Sequence, residues 1–161
     1  TYTGKKVGDA NTAIVLSDDC VVENLTLRGT APVNVWSSNY GIQAYQAENT
    51  VISDVTVKGF NAAILVNASD ATLKGSVDVS NNGFGGIEVS GGDATLTVDA
   101  TVVNTTESDK APTAWTECGE NGADQEGTVI GADWQSIVYQ KDESSYQIWW
   151  FMDLGNAPSG T

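Results

Sequence analysis

From Gly41 onward apolar and polar residues alternate, break at Glu48-Asn49-Thr50, and alternate again as far as Phe60. The same course is run from Ala62 to Phe84 and once more from Gly85 to Asn104. Aligned on Ile42, Ile64 and Ile87, the copies lie 22 and 23 residues apart. Ala44, Val66 and Val89 follow two residues later and Val51, Leu73 and Leu96 nine residues later, and then come the pairs Val55/Val57, Val77/Val79 and Ala100/Val102. An apolar residue at every second position is the period of a strand with one buried face, not the 3.6-residue period of a helix.

A unit this short cannot bury its apolar face alone. Copies stacked about 4.8 Å apart pair strand on strand and close one continuous core. The breaks carry the turn chemistry such a coil needs: Asn49-Thr50, Ser69-Asp70, Asn81-Asn82-Gly83 and Gly91-Gly92-Asp93 are rich in residues that tolerate left-handed backbone. An earlier copy runs from Thr12 to Thr30, with Ile14 and Leu16 opening the coil and Val21, Leu25 and Leu27 filling its later columns. A longer excursion, Thr30 to Tyr40 with Pro32 and Trp36, joins it to the next coil. Past residue 105 the columns are lost in a stretch of turn formers and acids, and strand-like composition returns in "WQSIVYQ" and "YQIWWFMD", with "KDESS" as a hairpin connection. The expected fold is all-β: four to five solenoid coils over residues 1–104, an acidic Gly-rich loop over 105–127, and a β-rich C-terminal cap or assembly segment over 128–161 that covers an otherwise open edge.

Composition agrees with strands and turns: of 161 residues 40% are hydrophobic, 17% are charged and 17 are Gly. The formal net charge of -14 repels phosphate backbones and anionic lipid heads, which argues against nucleic acid as a partner and against a membrane surface. The longest apolar runs, "AAILV" and "IWWFM", fall far short of the roughly 20 residues of a spanning helix, so membrane insertion is not expected. The sequence starts at Thr1 with no signal-peptide pattern, as a processed protein or a piece of a longer one would.

Phrases such as "VVENLTLRGT" and "VISDVTVKGF" resemble coils of the right-handed parallel β-helix of the pectate-lyase type, found in extracellular polysaccharide lyases, glycoside hydrolases, phage tailspikes and bacterial surface proteins. The resemblance covers about residues 12 to 104 and implies architecture more strongly than activity, because fold does not dictate function. It implies an extracellular or cell-surface location. It also implies where catalysis would have to come from: Ca²⁺-binding carboxylates with an Arg or Lys base in the lyases, closely placed Asp residues in the hydrolases.

This chain has no His, and its single Arg, Arg28, ends a strand with no acidic cluster on the same column. Asp18 and Asp19 are the adjacent acidic pair among the coils, and paired carboxylates can divide into acid and base. They fall in a coil corner, where a solvated turn is the plainer reading. Asp54, Asp78 and Asp99 flank inward columns without forming one ladder. Glu117, Glu120, Asp124 and Glu126 offer oxygen ligands of the kind Ca²⁺ takes, with Asp124, Glu126 and Glu120 the candidate set; the alternative is an acidic solvated loop. Cys20 and Cys118 are the two cysteines, an even count in a chain read as extracellular, and are expected as a disulfide or as two buried thiols. Sequons at Asn24, Asn67 and Asn104 are about what chance supplies.

Trp134, Tyr146, Trp149, Trp150 and Phe151 gather large aromatic surface in the last segment. Alternation sends Trp149 and Phe151 to one side of their strand and Tyr146, Ile148 and Trp150 to the other, so that one face can cover the solenoid and the other meet a neighbouring subunit or a sugar; the alternative is packing within the core and cap alone. The adopted reading is a non-catalytic extracellular structural or adhesive protein that associates with itself or with other surface proteins, without a cofactor unless Ca²⁺ fills that role. The alternative is a carbohydrate-active enzyme or carbohydrate-binding module using Asp18, Asp19, Asp54 or Asp99.

Overall fold

The computed structural model describes residues 5–7, 10–30, 39–83, 85–91, 93–105, 113–117, 127–131, 134–140 and 146–152. All the regular structure among them is strand. Lys5–Val7 (β1) pairs antiparallel with Ala10–Leu16 (β2), and from there strands fall alternately into two sheets. Asn39–Tyr45 (β4), Ala62–Asn67 (β6), Gly85–Ser90 (β8) and Ala114–Glu117 (β10) continue the sheet of β2 in parallel. Val21–Arg28 (β3), Thr50–Lys58 (β5), Asp70–Asp78 (β7), Thr95–Val103 (β9) and Thr128–Ile130 (β11) form the second parallel sheet. The first sheet ends in an antiparallel hairpin, Trp134–Gln140 (β12) and Tyr146–Met152 (β13), with β13 against β10. From β2 to β11, strands consecutive in sequence therefore lie in different sheets, the arrangement of a β-solenoid.

The core lies between the sheets and is built of ladders. Ile14, Ile42, Ile64, Ile87 and Ala114 are successive register partners, as are Leu16, Ala44, Val66 and Val89. Ile42, Ile64, Ile87, Ala44, Val66 and Val89 are wholly buried. Ile52 and Leu73 face them from the second sheet as direct partners. Burying one such aliphatic side chain stabilises by about 1.5–3 kcal/mol, and each unit repeats the gain.

The long strands of the second sheet turn a corner within themselves. Asn24, Asp54 and Gly75 stand at one level of β3, β5 and β7 with φ of 54, 51 and 64°. In β5 Ile52, two residues before Asp54, and Val55, one after it, both face the core, so one left-handed residue reverses the alternation and bends the strand. Asn, Asp and Gly are the residue types that enter this region at low cost. Opposite Asp54, β7 carries one residue more, and the register slips there.

The structure corrects the expected stack in three respects. The column read as Val51, Leu73 and Leu96 is not a ladder: Leu73 pairs with Ile52, Leu96 pairs with Ala71, and Val51 pairs outward with Thr72. The cause is the corner, which takes four residues (46–49) after β4 but two (68–69) after β6, so a constant spacing of nine misses the pairing. By the same slip Val22 packs on the core while Val21 is 58% exposed. Finally, the four to five coils reduce to about three full turns, β4–β5, β6–β7 and β8–β9. At one end β3 has no fully buried residue, and at the other β10 and β11 are short rungs of four and three residues. Those two rungs lie in stretches where the periodicity shows nothing.

Candidate functional site

The carboxylates singled out as catalytic candidates are distributed around the coil. Asp18 and Asp19 sit in the exposed corner between β2 and β3, Asp19 with φ 58°. Asp18 Oδ1 accepts a hydrogen bond from the backbone N–H of Glu48 (3.0 Å), and Asp19 Oδ1 accepts one from Asn49 Nδ2 (3.3 Å). The Asp19 N–H in turn donates to the Glu48 carbonyl (2.9 Å). Both acids thus hold the next coil's corner in place.

Asp54, at the bend of β5, does the same one level up. Its Oδ1 accepts the backbone N–H of Ser76 (3.0 Å) and its Oδ2 the Ser53 hydroxyl (2.8 Å). The Ser53 hydroxyl first, and then the Ser76 amide, hold its carboxyl below the ordinary aspartate value. Asp78 is partly buried, which pushes its carboxyl up. Lys58 Nζ at 2.6 Å and the hydroxyl and backbone N–H of Ser80 outweigh that, leaving it below the ordinary value. Asp99 lies on an outward column with Lys74, Ser53 and Glu23, and Arg28 beside Lys58 at the end of β3. These acids are divided among a coil corner, a strand bend and a sheet face. Among the described residues no group of three or more metal-ligating side chains comes together, and no helix is long and apolar enough to cross a membrane.

Cys20 is a half-buried free thiol at the start of β3. Its Sγ is 3.4 Å from Ser17 Oγ, and this contact, with the Ser17 backbone, holds the thiol below its usual range. Cys118, Glu120, Asp124 and Glu126 lie outside the described residues, so the disulfide and the Ca²⁺ set do too. Trp134 belongs to β12, and Tyr146, Trp149, Trp150 and Phe151 to β13. Through them the sheet continues past β10, with Trp149 opposite Ile137 and Trp150 opposite Ser136.

The most distinctive polar cluster was not visible in the sequence. Gln43, Leu65 and Glu88 are register partners immediately after the isoleucine ladder, on the face turned from the core, yet they are only 3, 4 and 6% exposed. Glu88 accepts from the Tyr40 hydroxyl (3.2 Å) and the Ser90 hydroxyl (3.3 Å), and Thr12 Oγ1 donates to Gln43 Oε1 (2.7 Å). Tyr40 reaches this side because alternation slips at Gly41, which faces inward: a Cβ there would strike the Val57 side chain and the Ala63 carbonyl. Spanning four successive strands of the first sheet, β2, β4, β6 and β8, the cluster joins residues 31 and 48 apart in sequence. A buried carboxylate that accepts from two hydroxyls acts as a polar clasp between strands. The signal that could have found it is the Gln43/Leu65/Glu88 column one residue behind the isoleucines.

Comparison with protein-family models, with curated proteins and with solved structures yields no significant match.

Proposed function

We propose that this chain is a non-catalytic structural or adhesive protein of the extracellular space or cell surface, built on a right-handed parallel β-helix of the pectate-lyase-like kind, which self-associates or joins other surface proteins. One observation carries the reading: of the acids named for a catalytic centre, Asp18, Asp19 and Asp54 are each hydrogen-bonded to a neighbouring coil and Asp99 stands apart on an outward column, while Asp78 is ion-paired to Lys58 of the coil before it. Carboxylates in that role fasten the stack, and they are scattered because the fastening points are. The aromatic strand residues Tyr146, Trp149, Trp150 and Phe151, with Trp134, are the proposed contact surface. Ca²⁺ bound by Glu120, Asp124 and Glu126 is the proposed metal contribution to it.

A second reading, a carbohydrate-binding module or carbohydrate-active enzyme, is favoured by the outward column Glu23, Ser53, Lys74 and Asp99 beside the column Val51, Thr72 and Thr97. Hydroxyls, charges and flat β-branched surface at regular spacing suit an extended sugar chain. Light scattering across a concentration series, then electron microscopy, with and without Ca²⁺, decides between the two. Discrete oligomers or filaments support assembly. A persistent monomer that binds or cleaves members of a polysaccharide panel overturns it in favour of the second reading.

A further inference from the structure

Asn82 and Gly83 form part of the corner between β7 and β8. The Asn82 side chain is fully buried, with Oδ1 accepting the Phe60 backbone N–H (3.0 Å). Its Nδ2 donates to the carbonyls of Val57 (2.9 Å) and Val79 (2.7 Å) and, more weakly, of Ser80 (3.4 Å). The Gly83 N–H donates to the Phe60 carbonyl (2.6 Å). One residue of the preceding turn, Phe60, therefore holds both the Asn82 carboxamide and the amide that follows it. Asparagine followed by glycine is the pair in which a backbone nitrogen most readily reaches the carboxamide before it, because glycine has no Cβ to restrict the approach.

We propose that Asn82–Gly83 is a latent self-modification site: a deamidation switch held shut by the coil stack and released when this corner parts from Phe60. In the open chain the Gly83 amide loses its proton to solvent base and its nitrogen attacks Asn82 Cγ. A Gly83 N–Cγ bond forms, the Cγ–Nδ2 bond breaks, and Nδ2 leaves as ammonia with a proton from water. Water then opens the resulting succinimide at either carbonyl, giving aspartate or isoaspartate; nothing is oxidised or reduced, and water is the co-reactant. In the folded chain the Gly83 N–H is engaged and the carboxamide cannot rotate toward it. Once formed, the product does not refit. An aspartate sets a carboxylate oxygen against the Val57 and Val79 carbonyls that Nδ2 served, an unpaired buried acceptor facing acceptors. An isoaspartate adds a methylene to the main chain and moves the corner out of register. A transient opening is thereby recorded as a permanent loss of stability.

The test incubates the full chain at mildly alkaline pH, native and in urea, and follows the one-mass-unit gain by peptide mapping. Mapping separates Asn82 from the second Asn–Gly pair, Asn121–Gly122, which lies outside the described residues. Deamidation at Asn82 is expected to be at least about 100-fold faster in urea, since a corner bonded to the core opens with a sizeable part of the global stability. Gly83→Ala, measured in urea so that folding is irrelevant, is expected to slow it by about 10-fold. Asn82→Asp is expected to unfold at lower denaturant than the parent or not to fold at all. Equal rates in the native and unfolded chain, no reaction in urea, or an Asn82→Asp variant as stable as the parent would each overturn the proposal.

Discussion

Replacing Ile64 by alanine probes the isoleucine ladder at its centre. Ile64 is wholly buried and flanked in register by Ile42 on one side and Ile87 on the other, both also wholly buried. A cavity there is walled by hydrogen-bonded strands above and below, so it cannot collapse, which places the loss in the upper part of the range for Ile→Ala, about 3–5 kcal/mol. Ile14 occupies the same ladder at the open end, only partly buried, with Ile42 as its core partner. There the loss is expected to be about 1–2 kcal/mol, because less surface is buried and one side can relax. With a urea dependence of about 2 kcal/mol/M, Ile64→Ala lowers the unfolding midpoint by about 2 M and Ile14→Ala by less than about 1 M. Circular dichroism in a urea series reads both. Equal shifts, or a larger shift for Ile14→Ala, would refute the claim that the ladder is a stacked core with one weak end.

Three further outcomes follow from particular contacts. Gly59 has φ 76° and its Cα lies against the Gly29 carbonyl, where a Cβ would collide; Gly59→Ala is expected to cost about 1–3 kcal/mol, measured by the same urea series. Asp54 and Asp78 titrate lower in the folded chain than unfolded. The stability they add is therefore full above the unfolded aspartate value of about 3.9 and lost as pH falls through their depressed values. Unfolding midpoints across that acid window should fall for the parent and flatten for an Asp54→Asn, Asp78→Asn double variant; an unchanged slope contradicts the assignment. The Lys58–Asp78 pair, with side chains 25 and 27% exposed, should show a coupling of about 0.2–1 kcal/mol in a double-mutant cycle.

The sequence made the isoleucine and Ala44/Val66/Val89 ladders readable because β4, β6 and β8 run without insertion from the isoleucines onward, so period and register coincide. It misplaced Val51 and Val21 because register in the second sheet depends on corner lengths and on left-handed residues such as Asp54, which reverse alternation without changing composition. β10 and β11 were invisible for a different reason: rungs of four and three residues are too short to show a period, and they form by templating on β8 and β9. Asp18 and Asp19 were legible as corner residues, and Asp54 and Asp78 as neighbours of inward columns. Their bonding to the adjacent coil was not, since a carboxylate's partner some 20 to 30 residues away depends on the stacking itself. Glu88 escaped because an alternating strand places a polar residue on its solvent face, and here that face is buried.

Successive coils are paired strand on strand in parallel, β4 with β6 and β6 with β8 at offsets of 22 and 23 residues. Nuclear Overhauser contacts between backbone protons of β4, β6 and β8 test this pairing most directly. It predicts cross-strand amide-to-Hα contacts linking Ile42 with Ile64 and Ile64 with Ile87, without the close Hα–Hα contacts of antiparallel pairs. Strong Hα–Hα contacts among these strands, or pairing between neighbours in sequence such as β4 with β5, would contradict it.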